Sequence, residues 1–419
     1  MLPPEILQSI FSHVKDQFSL HASTLVSRTW YKSATPFLYA KPIIDGSNFD
    51  AFVRAICPSV NAHIRINGLA ELVRRLDMSR LVHNGSKSLT ARILGRVKGR
   101  LEEFVAPQAS FAYVCLIYAC CDTWQEAQTP LRAPKAAAQR SFKATRQPSW
   151  AVFANLSRIN CLAALSKCTN LRFLDLSFVS ESIAILDLLH STAGLPKLEI
   201  LHLPRSSGHG TDNNTTRVAW PTKLRELRIS GGLSDESVSY LTALPQSVSS
   251  LSIGNCPRLS MLTIRPLLEI IGPQLSYLEI VAPIPALGES FGRLDNVMNW
   301  APNVRHLKIS VEFITQEIFL ERDYDESHYK SLKILYLHCF DPAQCEHLGA
   351  GLVLIGVFFG QFTSVRILGI HERLGWRDNE RSRENLWEIN TLLRKQAEEE
   401  GSEAEIPVND AGIRFYGTR

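Results

Sequence analysis

The chain has 419 residues, 45% apolar and 21% charged, and a formal charge of only +4. That length holds two or three domains or one repeat array, and the near-neutral balance gives no support to a nucleic-acid or membrane-surface role. Nine cysteines with no Cys-x-x-Cys pair and no signal-peptide pattern imply a reducing compartment, cytoplasmic or nuclear, and no disulfide framework.

Pro3 and Pro4 stand where a helix begins, because a first-turn residue has no use for its N–H. Ile6, Leu7, Ile10, Phe11 and Val14 then fall on one helical face. After a polar break at residues 15–17, Leu20, Leu25, Val26, Trp30 and Phe37 supply a second apolar set. A unit of about forty residues is too small to cover this much apolar side chain alone. Either the rest of the chain or a partner must bury it.

The run Leu2-Pro3, Glu5-Ile6-Leu7, Ile10-Phe11 and Leu25-Val26-Ser27-Arg28-x-Trp30 resembles an F-box. It has Ser27 where that family often has Cys, and the motif begins at residue 2. The resemblance implies a three-helix segment that docks on the Skp adaptor of cullin–RING ubiquitin ligases. It assigns that contact to Leu2, Pro3, Ile6, Leu7, Ile10, Phe11, Leu25, Val26 and Trp30.

Residues 47–57 read as a short helix, and 73–78 as a first apolar-x-x-apolar-x-apolar unit. Ser88 to Phe104 reads as an amphipathic helix, and Phe111 to Tyr118 as a buried strand. From residue 125 to 149, prolines and spaced basic residues indicate an exposed loop.

Beyond residue 150 the apolar-x-x-apolar-x-apolar unit recurs, starting at Leu171, Leu198, Leu224, Val248, Leu275, Val304, Leu332 and Val365. Successive starts lie 27, 26, 24, 27, 29, 28 and 33 residues apart. Such a period marks a solenoid, because one strand-plus-helix unit cannot bury its own apolar edge. The units resemble leucine-rich repeats, most closely Val248-x-x-Leu251-x-Ile253-x-x-Cys256-x-x-Leu259. Val179, Ser206, Gly232 and Pro283 occupy the position where the family has Asn or Cys, so an irregular coil is expected. Helix starts are expected at Ser180 and at Ser234-Asp235. The loop from Pro204 to Pro221 carries turn chemistry, and the apolar run Leu348 to Phe362 suits a buried helix better than a membrane span. A capping helix is expected from Glu384 to Glu400, and an edge strand over 412–416.

The expected fold is α/β: a three-helix F-box, then an irregular leucine-rich-repeat solenoid with parallel strands on the concave face and helices on the convex face. The segments are 1–40 (adaptor-binding), 41–124 (helical linker and degenerate first repeats), 125–149 (basic loop), 150–376 (solenoid) and 377–419 (cap and tail).

No phosphate-cradling loop, nucleophile elbow or His-Glu-x-x-His motif is present, and Asp323, Asp325 and Glu326 lack the spacing of an ion-binding loop. No catalytic residue, cofactor or metal site is therefore assigned. What remains is a surface. Strand alternation turns Phe173, Asp175, His202, Glu226, Arg228, Tyr277, Glu279, His306, Lys308, Tyr336, His338 and His371 away from the core. This mix fits a face that binds a target protein. The expected role is the substrate-recognition subunit of an SCF-type ubiquitin ligase, with a non-catalytic scaffold or plain repeat module as the alternative.

Overall fold

The computed structural model describes residues 2–57, 68–81, 87–107, 161–179, 183–205, 207–208, 219–231, 233–282, 294–320, 331–358, 362–400 and 405–417. The expected strand at 111–118, the basic loop 125–149, the helix start at Ser180, most of the loop 204–221 and the acidic residues 323–326 lie outside them. The chain divides into two compact units, residues 1–181 with 187–198 and residues 182–186 with 199–419.

The first unit opens with three helices, α1 (Pro4–His13), α2 (Gln17–Thr24) and α3 (Arg28–Ala40). Each begins for a local reason. Pro4 occupies the first turn of α1, the Asp16 carboxylate accepts from Ser19 N–H at 2.7 Å, and the Ser27 hydroxyl accepts from Trp30 N–H at 3.3 Å. Leu7, Phe11, Leu20 and Ala34 make a core, with the Trp30 ring edge-on to Phe11 at 5.5 Å. The Gln17 amide clamps the end of α3, donating to the carbonyls of Leu38 and Lys41 and accepting from Ile43 N–H.

Next come α4 (Phe49–Ile56), β1 (Arg75–Asp77), α5 (Lys87–Val97), β2 (Glu103–Val105) and β3 (Phe173–Asp175). The three strands pair in parallel and align Leu76, Phe104 and Leu174. The helix expected through Phe104 stops at Val97. Leu101, Phe104 and Ala106 instead form a repeat unit with the spacing seen from residue 171 onward.

In the second unit β4 (Ile183–Ala184) pairs with β6 (Ser207–Gly208), and a helix, Ile185–Ala193, follows β4. The main strands are β5 (Ile200–His202), β7 (Glu226–Ser230), β8 (Ser250–Gly254), β9 (Tyr277–Val281), β10 (His306–Ser310), β11 (Ile334–His338), β12 (Ile367–His371) and β13 (Gly412–Tyr416). All eight are parallel and ordered as in the chain. Leu201, Leu227, Leu251, Leu278, Leu307, Leu335 and Leu368 stand in register as one column, each at most 1% exposed. Ile229, Ile253, Ile280, Ile309, Leu337 and Ile370 form the next. This is the stacking that buries a repeat's apolar edge.

The Ser234-Asp235 start leads into a 3-10 helix, Asp235–Ala243, rather than an α-helix. The apolar run near residue 350 forms a helix, Ala350–Phe358, and the last helix runs from Glu380 to Glu400 with Leu386, Ile389 and Leu393 inward. The segment at 412–416 is the outer strand β13, held partly by Asn390, whose side-chain oxygen accepts from Ile413 N–H at 3.0 Å.

Ties between repeats use more chemistry than Asn or Cys. Cys256 lies against the backbone N–H groups of Gly231 and Leu233. At the equivalent position one repeat takes Glu312, whose Oε1 accepts from Phe340 N–H at 2.6 Å and Asp341 N–H at 2.8 Å. Another takes Arg373, which donates to the Phe340 carbonyl at 2.9 Å. The repeats therefore keep lateral bonds while departing from the family consensus. Replacing Leu307 by Ala should cost about 2–5 kcal/mol, as cavities in packed cores do, read as a lowered urea midpoint by circular dichroism.

Candidate protein-binding surfaces

The first surface is on α1–α3. Helical periodicity brings two stripes of α1 together, and the structure separates them. Leu7 and Phe11 are 2% and 3% exposed, so these two residues, expected to contact a partner, instead hold the three helices together. Trp30 is half-buried against them. Leu2, Ile6 and Ile10 remain about half exposed, Leu25 and Val26 more so, and Pro3 sits at the helix start. Phe18, 79% exposed, and Tyr31 add to this apolar set and were not anticipated from the sequence. Isolated exposed apolar residues are ordinary, but this many on three short helices signals a partner.

The second surface is the outward side of the strands. In the first unit, Arg75 bridges Glu103 at 2.9 Å and Asp77 at 3.1 Å, and Phe173 continues the Glu103 column. Asp175 is buried, its carboxylate accepting from Ser177 N–H and Oγ–H at 2.8 and 2.6 Å. It fixes a turn, as Asp77 does with Ser79, and so offers a target little.

In the second unit His202 meets Glu226 at 3.4 Å, and Arg228 is exposed two residues further. From β9 onward the outward residues converge. Glu279 is buried and fully engaged, bonding Lys308 Nζ at 2.7 Å, Ser252 Oγ–H at 2.7 Å and Tyr277 O–H at 3.3 Å. Burial opposes its ionisation, yet these bonds, led by Lys308, hold its carboxyl below the usual range.

Around that pair gather Tyr277 edge-on to His306, Tyr336 edge-on to Tyr416, and His338 edge-on to His371 at 4.5 Å. Lys308 Nζ lies 5.6 Å from the Tyr416 ring. Two glycines make the cluster possible. A side chain at Gly369 would collide with the Tyr336 ring, and one at Gly417, whose φ is +86°, with the His371 ring. Tyr416, which belongs to the expected edge strand, was missing from the sequence-derived face.

Burial, the neighbouring His371 and Lys308 push the His338 pKa down to about 4. Burial also lowers His306 and His371, so the cluster is uncharged at neutral pH apart from the Glu279–Lys308 pair. His338 Nδ1 and the Tyr416 hydroxyl are buried with no hydrogen-bond partner among the described residues.

The COS11 F-box domain model matches residues 1–84. The F-box protein YDR306C of Saccharomyces cerevisiae is 27% identical over 84% of this chain, which spans 63% of that protein's length. Protein pof5 of Schizosaccharomyces pombe is 25% identical over 92% of this chain and 95% of its own. The leucine-rich repeat-containing protein LegL7 from Legionella pneumophila aligns over 76% of this chain and 87% of its own, with 11% identity and a TM-score of 0.32.

Because His338 titrates near pH 4 when folded and near 6.5 when unfolded, the unfolded chain takes up a proton first on acidification. Its contribution to stability should be intact above pH 6.5 and lost as pH falls from 6.5 toward 4. A His338→Gln variant should show a shallower fall in melting temperature over that range. Residues 1–84 thus match an F-box domain, and parallel strands stacked in chain order follow them.

Proposed function

We propose that the chain is the substrate-recognition subunit of an SCF-type cullin–RING E3 ubiquitin ligase, working in the cytoplasm or nucleus. It binds the Skp adaptor through Leu2, Ile6, Ile10, Leu25 and Val26, with Phe18 and Tyr31 beside them. Leu7, Phe11 and Trp30 present those residues. The observation that carries this reading is the exposed apolar set on a segment that matches an F-box domain.

The target protein docks on the outward strand face of the second unit, centred on Tyr277, Tyr336, His338, His371 and Tyr416. Aromatic side chains contribute large contact area at low entropic cost, which is why they dominate binding hot spots. In this role the chain does no bond chemistry. It holds a target where a recruited ubiquitin-conjugating enzyme reaches its lysines, so its contribution to rate is proximity.

Co-purification with the Skp adaptor tests the reading. An Ile6→Asp, Ile10→Asp double variant buries two charges in the contact and should lower affinity by about 100-fold or more, with the circular dichroism spectrum unchanged. Leu7→Asp should instead unfold α1–α3, separating core from contact. Adaptor binding without cullin recruitment would replace the receptor with a scaffold, and no adaptor binding by the intact chain would overturn both.

A further inference from the structure

One carboxylate and two thiols meet where the chain leaves two neighbouring strands, beside the aromatic cluster. Glu312 lies in the 3-10 turn after β10, Cys339 directly follows β11, and Cys345 follows the turn Pro342–Gln344. Both cysteines are buried, with their sulfurs 3.3 Å apart, and one donor atom of each of the three residues lies within 4.8 Å of the other two. Glu312 divides its work between its oxygens. Oε1 accepts from the N–H groups of Phe340 and Asp341, whereas Oε2 is buried with no geometrically sound hydrogen bond among the described residues, the Glu312 side chain lying within reach of the Cys345 thiol, which itself points to the Asp341 carbonyl at 3.3 Å.

A carboxylate oxygen without a strong donor, beside two buried thiols, forms a set of three metal-ligand atoms. We propose that Glu312 Oε2, Cys339 Sγ and Cys345 Sγ bind one divalent metal ion of the zinc class, which fastens the turn after β10 to the loop after β11. Two sulfur donors exclude magnesium and calcium, which take oxygen ligands. Three protein ligands leave one tetrahedral position for water or a backbone carbonyl. Ligand separations in a tetrahedral zinc site run to about 3.4–3.8 Å. The observed spread is within about an ångström of that, a distance that side-chain rotation covers.

Binding proceeds by M²⁺ + 2 R–SH + R–COO⁻ → M(SR)₂(OOCR)⁻ + 2 H⁺, so affinity rises with pH. The metal-free site disfavours thiolate, because burial and the Glu312 carboxylate push both thiols up. Disulfide formation needs a thiolate as nucleophile, so the same surroundings slow oxidation of the pair. A divalent cation reverses this by offsetting two of the three negative charges, which leaves the complex with the single negative charge written above. None of its ligands belongs to the aromatic cluster, although Cys339 directly follows His338 and the two sites adjoin.

Titration of the reduced full-length chain with Co²⁺ tests the proposal. The expected result is saturation at one equivalent, a thiolate-to-metal charge-transfer band, tetrahedral d–d absorption and release of about two protons per metal. Cys339→Ser and Cys345→Ser should each abolish the charge-transfer band. Glu312→Gln keeps an oxygen for the Phe340 and Asp341 N–H groups and so preserves the fold. It should still weaken binding by at least the roughly 10–100-fold that outer-shell changes alone cost. Absence of the band, its survival in either cysteine variant, or unchanged affinity in Glu312→Gln would overturn the site. So would recovery of a Cys339–Cys345 disulfide from protein alkylated during isolation. If a cysteine variant misfolds, the Glu312→Gln affinity decides.

Discussion

The structure depends on strict register between neighbouring parallel strands. A strand of five residues presents three outward and two inward side chains or the reverse, and a slip of one position would exchange them. Leucine at the central inward position of each of seven strands prevents this. Each is worth about 1.5–3 kcal/mol when fully buried, and a slipped strand would place it in water. The outward residues inherit their alignment from that column. Lys308 meets Glu279, and Tyr416 meets His371, because Leu307 and Ile413 are fixed beneath them.

The repeats were legible in the sequence because a parallel strand with one buried side writes apolar residues at alternate positions, and a stack writes them periodically. What failed to show was informative. Leu101 and Phe104 are three residues apart, a spacing that a helix and a repeat unit share, and the preceding helix at Lys87–Val97 drew them into its own period. Glu312 and Arg373 do the lateral bonding expected of Asn or Cys. Any side chain with a polar atom at the right reach serves there, and a consensus names only the common ones. Tyr416 was missed because the repeat template lacks a match at the last strand, although its register with His371 puts it in the same column.

The three-helix segment shows a different limit. Ile6 and Leu7, or Ile10 and Phe11, are adjacent in sequence and separated by about 100° around the helix. A broad apolar face contains both, and periodicity alone does not say which half turns inward. Only the partners Leu20, Trp30 and Ala34 settle it, drawing Leu7 and Phe11 in and leaving the others exposed. The family resemblance named buried and exposed residues of this segment together, and only their packing separates them.

The outer strand β13 closes the aromatic cluster from one side while pairing, among the described residues, along one edge with β12. Stacked repeats come apart from their ends, since an end unit has one neighbour to lose instead of two. A pulling force on this end, such as an unfolding motor exerts, would therefore peel off Tyr416 before it reached any inner repeat. The aromatic cluster would lose its outer wall at the first step of mechanical unravelling, while the inner columns of leucine and isoleucine were still in place.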